Sequence, residues 1–92
     1  MSGAGDDGSI ENLKQRLDLI IEACGGVQSA LRTAEDRADG ALQSIAHTCE
    51  DSAHPEVTRA LTELGKVKQG IEDYVAAATS AADAIAAYKM TR

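Results

Sequence analysis

The stretch that decides the fold reads VTRALTELGKVKQGIEDYVAAATSAADAIAAY, residues 57–88. Its apolar residues alternate three and four positions apart without a break, which is typical of one face of a long amphipathic helix. These positions are Val57, Ala60, Leu64, Val67, Ile71, Tyr74, Ala78, Ala81, Ile85 and Tyr88. Because the face mixes large side chains with alanine, it needs a packing partner with the complementary pattern.

A second series with the same spacing lies upstream. It consists of Ile10, Leu13, Leu17, Ile20, Cys24, Val27, Leu31, Ala34, Ala38, Ala41 and Ile45. Gly25 and Gly26 interrupt it, and each costs about 1 kcal/mol relative to alanine inside a helix. The apolar phase nevertheless continues across them, so we predict one helix over about residues 9–50, straight or bent at the glycines, with Ser9 as its N-cap.

The clearest break between the two series is the segment 51–55, which holds the only proline of the chain. Proline suits the first turn of a helix, so a second helix is predicted over about residues 55–90. Residues 1–8 are rich in glycine and aspartate and are predicted to be disordered. Two helices of similar length joined by a short turn predict an all-α fold, an antiparallel two-helix hairpin over residues 9–92.

A single hairpin buries only a narrow seam, and the apolar stripes of both helices are wider than that. We therefore expect association into a four-helix bundle, either with a second copy or with a different helical hairpin. The partner-binding residues predicted on this basis are Ile21, Leu42, Leu61, Val75 and Tyr88. Tyr74 is predicted to fill the core opposite Leu31, whereas Tyr88 is equally compatible with packing and with exposure for recognition.

Composition narrows the class of function. Ninety-two residues make one small domain that is too short for the deep pocket of most enzymes, so a non-enzymatic binding module without cofactor or small-molecule substrate is favoured. A net charge of −6 and only two aromatic residues argue against nucleic acid as a partner. The apolar runs are too short to span a membrane. The N-terminus lacks the pattern of a cleavable signal peptide, so we expect a cytoplasmic protein or export without such a signal.

Ligand-type side chains cluster near the predicted turn. His47, Cys49 and His54 are residue types that bind zinc, but polar residues also gather at helix ends, and we predict no metal site. Cys24 and Cys49 would lie roughly 37 Å apart on one helix, so they cannot pair within a chain. The simplest interpretation is two reduced, buried thiols, and an interchain disulfide is the alternative.

The architecture resembles the small ESAT-like, WXG-type proteins of actinobacterial type VII secretion. The resemblance rests on length, a glycine-rich start, two alanine-rich helices over residues 9–92 and a short turn. The family's Trp-x-Gly turn is absent, because the turn here reads EDSAHP, residues 50–55. Its C-terminal export motif is also absent, since Ala78 and Arg92 occupy the acidic position after Tyr74 and Tyr88.

The resemblance implies a secretion-associated substrate, or a targeting or chaperone-like partner of a larger protein. Two other classes stay open from the residues alone. One is a self-assembling scaffold of a particle or filament, in which Gly25, Gly26, Gly40 and Gly65 permit close approach of subunits. The other is a metal-dependent enzyme built on the histidines and cysteine near the turn.

Overall fold

The protein is an antiparallel pair of long helices. A computed structural model describes the backbone of residues 2–91 and the side chains of residues 9–91. It contains α1 (Ser2–Thr48) and α2 (Pro55–Met90), and residues 2–91 form no strand. The two helices pack against each other along a molecule that measures 76 × 16 × 14 Å. The predicted all-α, two-helix hairpin is therefore confirmed.

A tight connection at residues 49–54 reverses the chain. The backbone N–H of Ser52 donates to the carbonyl of Cys49 at 2.9 Å, which closes the turn after α1. His54 is the N-cap of α2, because its Nδ1 accepts a hydrogen bond from the backbone N–H of Glu56 at 3.1 Å. Pro55 follows as the first helical residue, where its missing N–H leaves no helical hydrogen bond unmade.

The N-terminal part of α1 differs from the sequence-based expectation. The helix begins at Ser2, so it includes a segment predicted to be disordered, and Ser9 lies inside the helix instead of capping it. Once a helix is nucleated, each added residue gains one backbone hydrogen bond, so a long helix extends at little cost. Met1 lies outside the described residues.

Helix α1 passes through Gly25 and Gly26 without interruption. Among the described residues, no glycine has a positive φ angle. A Cβ atom added to either glycine would have no neighbouring atom within 4 Å. Neither a special backbone conformation nor a close contact therefore requires glycine at these two positions.

The buried core of the hairpin is thin. Among residues 9–91, only Leu17, Ala38 and Ile71 are buried apolar residues. Each belongs to a series that recurs every seven residues and lies at the centre of the contact between the helices. Most other apolar side chains are only half-buried or exposed, as expected when two helices have no third layer to cover them.

Candidate interaction surface

The burial pattern identifies which side of each helix meets the other. A central series, buried or half-buried throughout, recurs every seven residues in both helices. It comprises Leu17, Cys24, Leu31, Ala38 and Ile45 in α1, and Val57, Leu64, Ile71, Ala78 and Ile85 in α2. The residues four positions after a central residue, which we call the fourth positions, are half-buried wherever they fall within the two helices. The third and sixth positions are named in the same way. The third positions are mostly exposed, so the contact between the helices uses the central and fourth positions.

This pattern corrects the predicted seam, which combined the central series with the third positions. Tyr74 was expected to pack opposite Leu31, but 65% of it is exposed, and Val67 is 51% exposed. The prediction was wrong because the apolar stripe of each helix is wider than a two-helix contact can cover. The helices rotate so that one flank of the stripe is enclosed and the other faces outward.

Side-chain contacts that cross between the helices fix the register. Gln28 Nε2 donates to Thr79 Oγ1, Lys68 pairs with Asp39 at 2.7 Å, and Lys89 pairs with Asp18. The contacts advance along α1 from residue 18 to 28 and 39 while they step back by equal amounts along α2, from 89 to 79 and 68. All three therefore belong to one antiparallel register.

The contact with Asp39 changes the ionisation of Lys68. A hydrogen bond to the Asp39 carboxylate, reinforced by the charge of that carboxylate, raises the pKa of Lys68 above its usual 10.5. The side chains of Lys68 and Asp39 are 37% and 39% exposed, so water screens the attraction. The pair acts mainly as a register contact and adds little stability.

The three cross-helix contacts named above lie on one broad side of the hairpin. An approximate two-fold axis perpendicular to that side relates the two antiparallel helices. Residues at the same position relative to the central series therefore lie on the same side of the hairpin in both helices. Gln28, Lys68 and Lys89 occupy fourth positions, and the residues they contact directly follow a central residue. We call this side the polar face.

Within residues 20–34 of α1 and 67–88 of α2, the third and sixth positions after a central residue form the opposite side, which we call the apolar face. Outside these ranges the sixth positions include the charged Arg37 and Glu63. The members of the apolar face are Ile20, Ala23, Val27, Ala30 and Ala34 of α1, and Val67, Gly70, Tyr74, Ala77, Ala81, Ala84 and Tyr88 of α2. None carries a charge, and the α2 part alone spans roughly 30 Å at 1.5 Å per residue. Val27, like Val67, is 51% exposed, so large apolar side chains on both helices face outward here.

The five predicted partner-binding residues separate between the two faces. Ile21, Leu42, Leu61 and Val75 occupy fourth positions on the side of the cross-helix contacts, and all four are half-buried within the hairpin. Tyr88 belongs to the apolar face and is 41% exposed. The most exposed of the large apolar side chains of this face, Tyr74, Val67 and Val27, were assigned to the core by the sequence reasoning. The absence of charge at every third and sixth position within residues 20–34 and 67–88 was the signal that could have identified them.

The residues near the turn form no ligand set in the described part of the chain. Among residues 9–91, no group of three or more histidine, cysteine or acidic side chains could hold a metal ion, and no pocket is present. His54 instead caps α2 through its Nδ1. Cys24 and Cys49 are free and half-buried. No helix in the described residues is both long and apolar enough to cross a membrane.

Comparison with protein-family models, with curated proteins and with solved structures finds no match to this chain. The properties of the two faces are therefore the basis on which its function is argued.

Proposed function

We propose that this chain is a non-enzymatic helical interaction module that completes a four-helix bundle with a helical partner. Its suggested role is that of a type VII secretion-associated substrate, or of a targeting or chaperone-like partner of a larger protein. The observation that carries the proposal is the uncharged apolar face with Val27, Val67 and Tyr74 at least half exposed. Contiguous exposed apolar surface of this kind marks sites of protein association.

The surface area of the hairpin supports the same conclusion. The chain exposes 6636 Å², whereas a compact monomer of 9.6 kDa exposes about 5,100 Å². The excess of roughly 1,500 Å² exceeds the ~800 Å² that each partner buries in a standard protein–protein interface. One helical partner on the apolar face would bring the exposed area back to the range of a compact protein.

The two unlike faces favour a closed complex over a filament. An open polymer needs two complementary surfaces on each subunit, whereas a closed pair needs only one. The described residues present one uncharged face and one face with three cross-helix polar contacts. A self-assembling scaffold is therefore the weaker alternative, and electron microscopy of the purified chain distinguishes discrete particles from filaments.

Size-exclusion chromatography with light scattering tests the proposal directly. The purified chain is measured alone and after co-expression with helical proteins encoded next to it. We expect a discrete complex in at least one case, and a stable monomer in every case would refute the interaction role. The secretion role is tested separately, by asking whether the chain or its partner reaches the medium only when the type VII system of the host is intact.

A further inference from the structure

The flank that the hairpin encloses and the flank that it exposes have similar apolar content. The large apolar residues at the enclosed fourth positions are Ile21, Leu42, Leu61 and Val75. Those at the exposed third positions are Ile20, Val27, Val67, Tyr74 and Tyr88. Because the central series borders both flanks, the hairpin would bury a comparable apolar area whichever flank it enclosed.

A moderate rotation of each helix exchanges the two flanks. With about 3.6 residues per turn, the fourth positions lie about 40° to one side of the central series and the third positions about 60° to the other. A rotation of each helix by about 50° about its own axis therefore moves the contact from one flank to the other. The central series stays in the contact, so the antiparallel topology does not change.

The core of the hairpin opposes such a rotation only weakly. Among residues 9–91, the buried apolar side chains are Leu17, Ala38 and Ile71, and all three belong to the central series. A closely packed core holds helices in one arrangement through interlocked side chains, but here no third layer covers the two helices. The two packings therefore differ mainly at their flanks.

Polar contacts across the seam select the packing that the structure shows. At the fourth positions, Gln28, Lys68 and Lys89 each meet a polar side chain of the other helix. The third positions within residues 20–34 and 67–88 carry no charge, so the rotated packing would lack these contacts. Both ion pairs are partly exposed and individually weak, so they decide between packings that are otherwise close in free energy.

From these observations we propose that the cross-helix polar contacts act as a latch between two packings of the same hairpin. In the second packing, the rotated helices enclose the third positions of the apolar face and expose the fourth positions. The latch then controls whether the apolar face is accessible to a partner. This inference rests on the proposed interaction function and specifies how the interaction surface is regulated.

Tyrosine fluorescence measures the exchange of flanks. The chain has no tryptophan, and both of its tyrosines lie on the apolar face, so Tyr88→Phe leaves Tyr74 as the sole emitter. In this background, Asp18→Ala combined with Asp39→Ala removes the carboxylates of both cross-helix ion pairs. Tyr74 is 65% exposed in the latched packing. We expect the acrylamide quenching constant of Tyr74 to fall to about half in the latch variant, because the population shifts toward the rotated packing.

Glu22→Ala combined with Asp36→Ala provides the matched control. Both residues are exposed acids five positions after a central residue, on the outer side of the same helix. The control changes the net charge by the same amount and leaves the cross-helix contacts in place. Quenching of Tyr74 should remain at the level of the parent chain, and an equal decrease in control and latch variant would overturn the inference.

A second reporter distinguishes rotation from loosening of the helix pair. Val75 is half-buried on the enclosed flank, directly after Tyr74. Val75→Cys, in a chain with Cys24→Ala and Cys49→Ala, places the only thiol there. Rotation should raise the reactivity of this thiol toward a disulfide reagent in the latch variant while the quenching of Tyr74 falls. An increase of both signals, or no change in either, would refute the second packing, and circular dichroism verifies that every variant is helical.

Salt provides an independent test on the chain with an intact latch. At about 1 M sodium chloride, charges are screened beyond about 3 Å, so both ion pairs weaken and acrylamide quenching of Tyr74 should decrease. The decrease should be the same at every chain concentration, because rotation occurs within one molecule. A decrease that grows with chain concentration would contradict the inference and would instead support association through the apolar face, so the proposed interaction function would stand.

Discussion

Replacing Gly25 and Gly26 by alanine should stabilise the hairpin substantially. Both residues lie within the continuous helix α1, neither has a positive φ, and an added Cβ would meet no atom within 4 Å. Glycine inside a helix is less favourable than alanine by about 0.8–1 kcal/mol, because its backbone loses more freedom on folding. The double substitution should therefore raise the free energy of unfolding by about 2 kcal/mol.

Thermal unfolding followed by circular dichroism measures this effect. For a domain of this size, 1 kcal/mol corresponds to about 4–8 °C in Tm, so an increase of roughly 8–16 °C is expected. Wild type and variant are compared at one chain concentration, since self-association would raise the Tm of both.

Gly40→Ala is the internal reference for this experiment. Gly40 also lies in α1 with open space around its Cα, and no adjacent glycine accompanies it. If α1 is continuous, each substitution at positions 25 and 26 should stabilise about as much as Gly40→Ala. A gain at position 40 together with a loss at 25 and 26 would show that the chain bends at the paired glycines, and would refute the reasoning.

Three further predictions concern the core, the cap and the register contact. Leu17→Ala should lower the free energy of unfolding by about 2–4 kcal/mol in urea titrations because Leu17 is 4% exposed, whereas Leu19→Ala, at a residue 63% exposed, should change it little. His54→Ala should cost about 0.5–1 kcal/mol through loss of the N-cap, while His54→Asp, which can accept the same backbone hydrogen bond, should keep the stability of the wild type. The Lys68–Asp39 pair raises the pKa of the lysine, so its stabilising effect is complete below the usual 10.5 and is lost as pH rises through the higher value in the folded state. The Tm difference between wild type and Asp39→Asn should accordingly shrink from about pH 9 to about pH 12, and a difference that grows would contradict the assignment.

The sequence predicted the hairpin because the central series is apolar, and it lies in the contact whichever flank of the apolar stripe is enclosed. Leu17, Leu31 and Ile71 lie at the centre of the contact whichever flank is enclosed, and Pro55 marks the start of α2 by its backbone chemistry alone. The end of α1 is less sharply encoded, since no proline or glycine stops the helix near Thr48.

The sequence did not predict which flank of the stripe faces outward. An apolar stripe that covers three of every seven positions can pair through either of its edges, and periodicity alone treats the edges as equivalent. Which edge is enclosed depends on how the side chains of the two helices meet across the contact. A lysine or glutamine at the edge of a seam can lay its apolar stem along the contact and reach a polar partner on the other helix, and this partner is visible only once the register is known.

The register contacts explain why the enclosed flank is the one with charged residues. Gln28, Lys68 and Lys89 interrupt that flank, and each meets a polar partner across the seam. If the helices rotated to enclose the other flank, the Tyr74 ring would enter the seam and the polar residues would lose these partners. The arrangement observed satisfies the polar side within one chain and leaves the uncharged side available. The cross-helix polar contacts thereby determine which flank of each apolar stripe stays exposed.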